Sequence, residues 1–462
     1  MGKEKDLKQP QQIAPVGAQT TFVDVWKWGQ ELERLHARIA ARFARPEPRR
    51  RALAYLKGIV SSIERKNGWH LAEHAGESRP DGMQRLLNSA VWDADLVRDD
   101  LRTYILECLS DPHAILVIDE TSFRKRGQKS AGVAKQHCGT TGQVENCQVG
   151  VFLAYASRRG HTLIDRELYL PLRWTLDRKR CQEAGIPDSV RFQTKCEQAR
   201  LMIERLWQAK IPFAWVVADT VYGGNGDLRT WLEAHQYSYG LAVACTEAVE
   251  IQTASGRKRM TVAQAEALSF HAEDWQRISM SHGTKGPRLF DWAVMPMLHR
   301  CEEDGQHFLL VRRPLDDPQD KTYYFVFAPL GTTLTEMVKA IGARWKIEEC
   351  FETGKEMGLS DYEVRGFTAW YRYVTLVMIV QACLAGICAA ERRLTTEPSQ
   401  VEGAPPTCPL LPLTIPEVRH LLAHLVFPPP RSATLLLAWS WWRRCHQSRA
   451  SFFHTRHRCA AG

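Results

Sequence analysis

Two short apolar runs in this 462-residue chain each end in an aspartate: residues 114–118 (AILVI) lead into Asp119, and residues 213–218 (FAWVVA) lead into Asp219. Runs of this length read as buried strands, and an acid at a strand's C-terminal tip stands at the sheet edge where α/β proteins bind ligands. Two carboxylates brought together there repel, and both stay ionised only around a cation. Mg2+ or Mn2+ suits oxygen ligands and keeps positions open for water and phosphate. A pair of such ions would activate an attacking oxygen and stabilise a leaving one in an in-line phosphoryl transfer. The competing reading is that each aspartate only caps the turn or helix that follows.

A third acid tips the balance. Residues 341–355 read IGARWKIEECFETGK, which puts Arg344, Glu348 and Lys355 at positions i, i+4 and i+11. At about 100° per residue they fall within roughly 40° of one another on one helix face. Glu348 then projects toward the metal ions, while Arg344 and Lys355 hold DNA phosphates on either side without reading bases. Glu349 points about 100° away and is rejected; Glu352, one turn further on, is the weaker rival. Alone, the segment would read as an exposed helix carrying salt bridges. Asp165, inside LIDREL, sits in mid-strand and is assigned a structural role.

The elements that must position these acids follow from periodicity. Residues 1–20 are rich in Gln and Pro and are expected to be disordered. Four helical stripes fill 21–112, a helical N-terminal DNA-binding domain; the second stops at Asn67-Gly68, read as a C-cap, and Asp93 caps the fourth. A mixed α/β core follows in two parts, 113–245 and 331–393, with a basic loop at 123–142, strands at 147–156 and 161–170, and a helix at 195–208. Between the parts, 246–330 reads as a β-rich insertion domain with strands at 288–297, 307–312 and 322–328. Thr333 and Glu336 have capping-box spacing, opening one helix to about 357. Residues 394–414 read as a Pro-rich linker and 415–462 as a basic helical tail.

Hydrophobic residues make up 44% and charged residues 24%, the balance of a globular protein of two to four domains. The net charge of +9 and pI near 8.9 suit a polyanionic partner. Thirteen cysteines lack any CxxC spacing, and with a charged, polar N-terminus unlike a signal peptide they predict a cytoplasmic protein with reduced thiols. The longest apolar run, 374–390, reads as a buried core helix and not as a membrane span.

Arg344, Glu348 and Lys355 in this spacing resemble the YREK signature of DDE-type insertion-sequence transposases. Where that signature has Tyr three residues before the Arg, this chain has Ile341. The resemblance extends through VIDET (117–121), GVAKQHCG (132–139), NCQVGVFLAY (146–155), LYLP (168–171), ADTVYG (218–223) and GLSDYEVR (358–365), covering about residues 50–390. It implies an RNase H-like mixed-sheet catalytic core interrupted by a β insertion. It makes Asp119, Asp219 and Glu348 the catalytic and metal-binding acids, with two Mg2+ or Mn2+ ions. It also implies cut-and-paste transposition: cleavage at transposon ends, strand transfer into target DNA, and a homodimer in the synaptic complex of a bacterial, nucleoid-associated protein. The alternatives are an RNase H-like nuclease without strand transfer and an inactive, transposase-derived DNA-binding regulator.

Further cations are candidates for backbone contact. Arg124, Lys125, Arg126 and Lys129 follow the first acid, either on the scissile strand or as a solvated loop. Lys129-Ser130 lacks the glycine of a P-loop, so no nucleotide cofactor is expected. In the tail, Arg443 and Arg444 suit nucleic-acid contact, or the helix docks through Trp439 and Trp442 with its charges in water. His454, His457 and Cys459 lack a fourth zinc ligand. Trp275 and Trp292 are either core residues or a base-holding surface.

Overall fold

The computed structural model describes residues 20–283, 286–298, 304–394, 412–429 and 432–460. The stretch expected to be disordered at 1–20 and the linker expected at 394–414 fall almost wholly outside the described residues.

The chain opens with α1 (Phe22–Ile39), α2 (Pro46–Val60), α3 (Gly68–His74), α4 (Asp81–Asn88) and α5 (Ala94–Leu109). Asp93 caps α5 by accepting the N–H of Asp95 and Leu96, as its place before an apolar stripe predicts. Asn67 differs from expectation. The second helix stops at Val60, and the Asn67 side chain accepts the N–H groups of Trp69 and His70, so it opens α3 and does not close α2. An Asx side chain serves helix starts better than ends, because its oxygen can reach free N–H groups.

The core strands are β1 (Ile115–Arg124), β2 (Ala134–Cys138), β3 (Gln143–Ala156) and β4 (His161–Tyr169). β2 lies within the stretch expected to be loop, paired with the first half of β3, while β4 pairs with the second half. Then come α6 (Leu172–Leu176), α7 (Arg178–Glu183), α8 (Lys195–Gln208), β5 (Trp215–Ala218), α9 (Thr220–Gly223), α10 (Gly226–Ala234) and β6 (Ser238–Val243). The spatial order is β4-β3-β1-β5-β6, with β1, β5 and β6 mutually parallel and β3 antiparallel to both its neighbours. Hairpins join the antiparallel strands and helical crossovers the parallel ones, as each pairing requires. This is the RNase H-like mixed sheet.

The strand-rich stretch continues that sheet. After the hairpin β7 (Ala248–Thr253) and β8 (Gly256–Thr261) and the helix α11 (Val262–Ser269) come β9 (Gln276–Gly283), β10 (Gly286–Pro296), β11 (His307–Arg313) and β12 (Thr322–Phe327). β12 pairs antiparallel with β6, and β11, β10 and β9 follow it outward. Trp292 is fully buried there beside Tyr324, a core residue.

The helix expected from 333 to 357 is two: α12 (Leu334–Gly342) and α13 (Trp345–Glu356). The Thr333–Glu336 capping box opens the first. The break follows Gly342, where a Cβ would lie 2.4 Å from the Met280 carbonyl oxygen, so glycine lets the end of α12 sit directly on β9. α14 (Phe367–Leu394) is apolar enough to cross a membrane, but 94% of that window is buried inside the protein, as expected of a core helix. α15 (Ile415–Leu425) and α16 (Ala433–Ala460) end the chain.

Candidate active site

Ile118 of β1 pairs in parallel register with Ala218 of β5. The next residue in each case is an aspartate, so Asp119 and Asp219 stand side by side, one strand spacing (about 4.8 Å) apart. Asp219 lies just past the end of β5, as expected, but β1 runs on to Arg124 and Asp119 is in mid-strand, not at a tip. Each is held by one oxygen. Oδ1 of Asp119 accepts the Glu120 N–H at 2.7 Å, and Oδ1 of Asp219 accepts the Val221 N–H at 3.0 Å. Asp219 therefore does cap a helix, the short α9, but with half of its carboxylate. The second oxygen of each acid has no protein donor among the described residues.

Glu348 lies in the first turn of α13, whose inner face (Ile347, Cys350, Phe351) packs on the sheet, with the Phe351 ring 5.5 Å from that of Phe152. Its carboxylate is 3.3 Å from the guanidinium of Arg344. That one cation bears on all three acids. Burial, then the charge of Asp219, pushes the Asp119 carboxyl up to about 7; burial and Glu120 raise Asp219; burial raises Glu348; in each case Arg344 pulls the other way. Arg344 thus faces inward among the carboxylates. Lys355, at the far end of α13, is half-exposed and has no ion pair among the described residues.

Glu349 turns to the other side, pairing with His161 at 3.1 Å and Lys346 at 3.0 Å, which hold it down at about 2 despite burial. Glu352 is exposed. Ile341 is buried with Trp292, Val326 and Met337, and a Cβ on Gly240 would come within 2.6 Å of it, so the side chain at this position packs α12 onto β6.

Four residues about the acids escaped the reading of the sequence: Glu120, Lys195, Tyr222 and Arg288. Glu120 accepts Lys195 Nζ at 2.5 Å and the Tyr222 hydroxyl at 2.7 Å, a network directly behind Asp119. Glu120 and Tyr222 lie inside VIDET and ADTVYG, so adjacency to the acids was the available signal. Arg288 of β10, stacked 4.6 Å from the Trp345 ring, adds positive charge near Glu348.

Among the described residues no three acidic, His or Cys side chains converge closely enough to hold one metal ion. The donor chemistry still fits a hard divalent cation: all oxygen, two neighbouring acids with raised proton affinity, and one free oxygen on each. Glu348, paired through one oxygen with Arg344, is the third oxygen donor nearby.

The family model described as DDE superfamily endonuclease matches residues 38–287, just over half of the chain and a span that holds Asp119 and Asp219. The chain belongs to this DDE superfamily. It is also 30% identical over 203 residues to the probable transposase for insertion sequence element IS701 of Microchaete diplosiphon. That match spans 43% of this chain and half the length of the relative. A solved structure of the piggyBac transposase synaptic complex with hairpin DNA aligns over 91% of this chain and 82% of that one, at 12% identity and a TM-score of 0.40. The resemblance to DDE-type insertion-sequence transposases read from the motifs is borne out by the family match.

Elsewhere in this DDE-family chain, the expected DNA-contact cations divide. Arg124 pairs with Glu145 at 2.7 Å. Lys125 is half-buried, its Nζ 3.4 Å from the Tyr362 ring centroid and 3.1 Å from the Tyr362 carbonyl oxygen; burial lowers it to about 8. Arg126 and Lys129 are exposed. In α16, Trp439 is buried with its indole N–H on the Glu77 carbonyl, and Arg443 pairs with Glu73, whereas Arg444 is exposed. The side chains of His454, His457 and Cys459 lie outside the described residues.

Proposed function

We propose that this chain is a DNA transposase that cleaves at transposon ends and joins the freed 3′-OH to target DNA. The observation that carries the reading is the juxtaposition of Asp119 and Asp219 across β1 and β5, each with one free oxygen, with Glu348 reached through Arg344. Asp119, Asp219 and Glu348 would hold two divalent ions, Mg2+ or Mn2+. When bound, such ions supply the Lewis-acid charge that in-line phosphodiester chemistry requires.

The chain's own groups do the positioning. The N–H groups of Glu120 and Val221 hold one oxygen of each aspartate and leave the other without a protein donor among the described residues. Arg344 and Lys355 contact phosphate oxygens on either side of the acids, and Arg344 can serve both roles because its planar fork matches carboxylate and phosphate alike. Synapsis of two DNA ends calls for two copies of the chain.

The test is Mg2+-dependent processing of DNA bearing the element's own ends, by wild type and by Glu348→Gln. Loss of an interaction worth several kcal/mol in the transition state slows cleavage at least about a hundredfold, with DNA binding retained. Cleavage unchanged in the variant would remove Glu348 from the centre. Joined product separates strand transfer from hydrolysis alone.

A further inference from the structure

Three distant segments meet in a cleft of about 770 Å3: the turn before α3, the loop after β1, and the loop after α13. Their backbones and side chains are laced together. Asp361 accepts the Lys66 N–H at 2.9 Å, Glu363 accepts the Asn67 side-chain amide at 3.0 Å, and Ala131 N–H donates to the Arg365 carbonyl at 2.9 Å. The two acids of the lining are thus tied into its walls. Of its cations, Arg124 and Lys125 are engaged by Glu145 and Tyr362. Arg65, Arg126, Lys129 and Arg365 are exposed, with no ion pair among the described residues. A concave surface with several uncompensated positive charges concentrates field and attracts a polyanion.

We propose that this cleft holds the phosphate backbone of the DNA that runs on from the scissile site, with Arg65, Arg126, Lys129 and Arg365 as its contacts. β1 is continuous from Asp119 to Arg124 at the cleft's edge, five residues, which at about 3.3 Å each is roughly 17 Å. At 3.4 Å per base step, the contacted phosphates lie about five steps from the cut. The contact proposed is to backbone, the sequence-independent term that exposed, uncompensated cations supply. The register rests on the transposase reading; the binding itself does not.

The experiment measures affinity for a duplex of arbitrary sequence, in EDTA so that nothing is cut, as a function of salt. The variant carries Arg65→Gln, Arg126→Gln, Lys129→Gln and Arg365→Gln. Every phosphate that is no longer neutralised flattens the slope of log K against log salt by about 0.9, so a decrease of about three to four is expected with an unchanged thermal melt. Should the fourfold variant fail to fold, Arg126→Gln with Lys129→Gln in the exposed loop after β1 should flatten the slope by about two. A folded variant with unaltered slope and affinity overturns the proposal. Ethylation interference on a duplex carrying the element's own end, again in EDTA, then locates the contacted phosphates: interference centred about five steps from the cleavage position supports the register, and none there removes it. Because this binding is read without cleavage, a catalytically wrong triad would leave the salt result standing, and the reverse.

Discussion

Asp165 and Asp119 sit on the same sheet, with β3 alone between their strands, roughly 10 Å apart. β3 residues Phe152 and Leu153 are the register partners of Asp119 and Asp165 respectively. Asp165 is fully buried, yet its carboxyl is held down at about 2, because Arg205, Arg102, Arg98 and Arg166 outweigh the cost of burial. Asp119 is raised to about 7: burial pushes it up, the charges of Asp219 and Glu120 add to the push, and the Arg344 that opposes them is shared with two other acids. One aspartate arrives with more positive charge than it needs, the other with less. The first is a brace between α5, α8 and β4; the second is complete only with a cation from outside. A carboxylate's role follows from the charge its neighbours leave over, and burial alone does not separate the two.

The largest effect should come from breaking the brace. Asp165→Asn keeps the shape but leaves Arg98, Arg102 and Arg166 buried around a neutral amide, and removing one partner of a buried ionic network costs about 3–5 kcal/mol. The unfolding free energy should fall by that amount, with a lower denaturant midpoint and an unchanged slope. The wild-type contribution has its own pH signature: because the folded value is depressed from 3.8 to about 2, the stabilisation is present above pH 3.8 and lost as pH falls toward 2. An Asp165→Asn protein as stable as wild type at pH 7 would show that the arginines find other partners.

The opposite substitution at the other acid should have the opposite sign. Asp119→Asn removes a desolvated charge that repels its neighbours and so stabilises the protein by roughly 1–3 kcal/mol at pH 8 without divalent ions. A carboxyl raised from 3.8 to about 7 favours folding in its protonated form, so the wild type loses that contribution as pH rises through 7. The gap between the two proteins should therefore close below pH 4. Added Mg2+ or Mn2+ should raise the wild-type melting temperature, by about 2.7 kcal/mol of stabilisation at a hundred times Kd, and leave Asp119→Asn nearly unmoved. Equal stabilisation of both would place the ions elsewhere.

The strand under Asp219 was legible because a short apolar run ending in an acid has few other uses, and α13 because Ile347, Cys350 and Phe351 keep helical period. The same pattern found the start of β1 but not its end, since pairing with β3 carries that strand five residues past Asp119. The RNase H-like mixed sheet came with the resemblance, while the order β4-β3-β1-β5-β6 is read from the structure, since no local pattern dictates which strands pair. What stayed hidden depends on contacts between distant segments. The break at Ala343 lies beside the close approach of Met280 of β9 to Gly342, and nothing in IGARWKIEE announces it. Helical spacing placed Arg344 near Glu348 but not inward, which depends on two aspartates more than 120 residues upstream. Arg65 and Arg365 share a cleft 300 residues apart in sequence, held by hydrogen bonds that only the folded chain makes.

The finest test of the comparison is the hydroxyl behind the acids. Tyr222 is fully buried and donates to Glu120 at 2.7 Å, while Lys195 holds the other Glu120 oxygen at 2.5 Å. Tyr222→Phe removes one neutral donor from an ionised acceptor that keeps its lysine, so stability should fall by only about 0.5–1.5 kcal/mol. The more telling readout is the titration of Asp119. With the hydroxyl gone, the negative charge on Glu120 is less well satisfied and bears more strongly on its neighbour, so Asp119 should protonate at a still higher pH, visible in carboxyl-selective infrared or NMR titration. An Asp119 titration unmoved by Tyr222→Phe would mean that Lys195 alone sets the charge at Glu120, and that the acidic centre is tuned by one cation behind it as well as one in front.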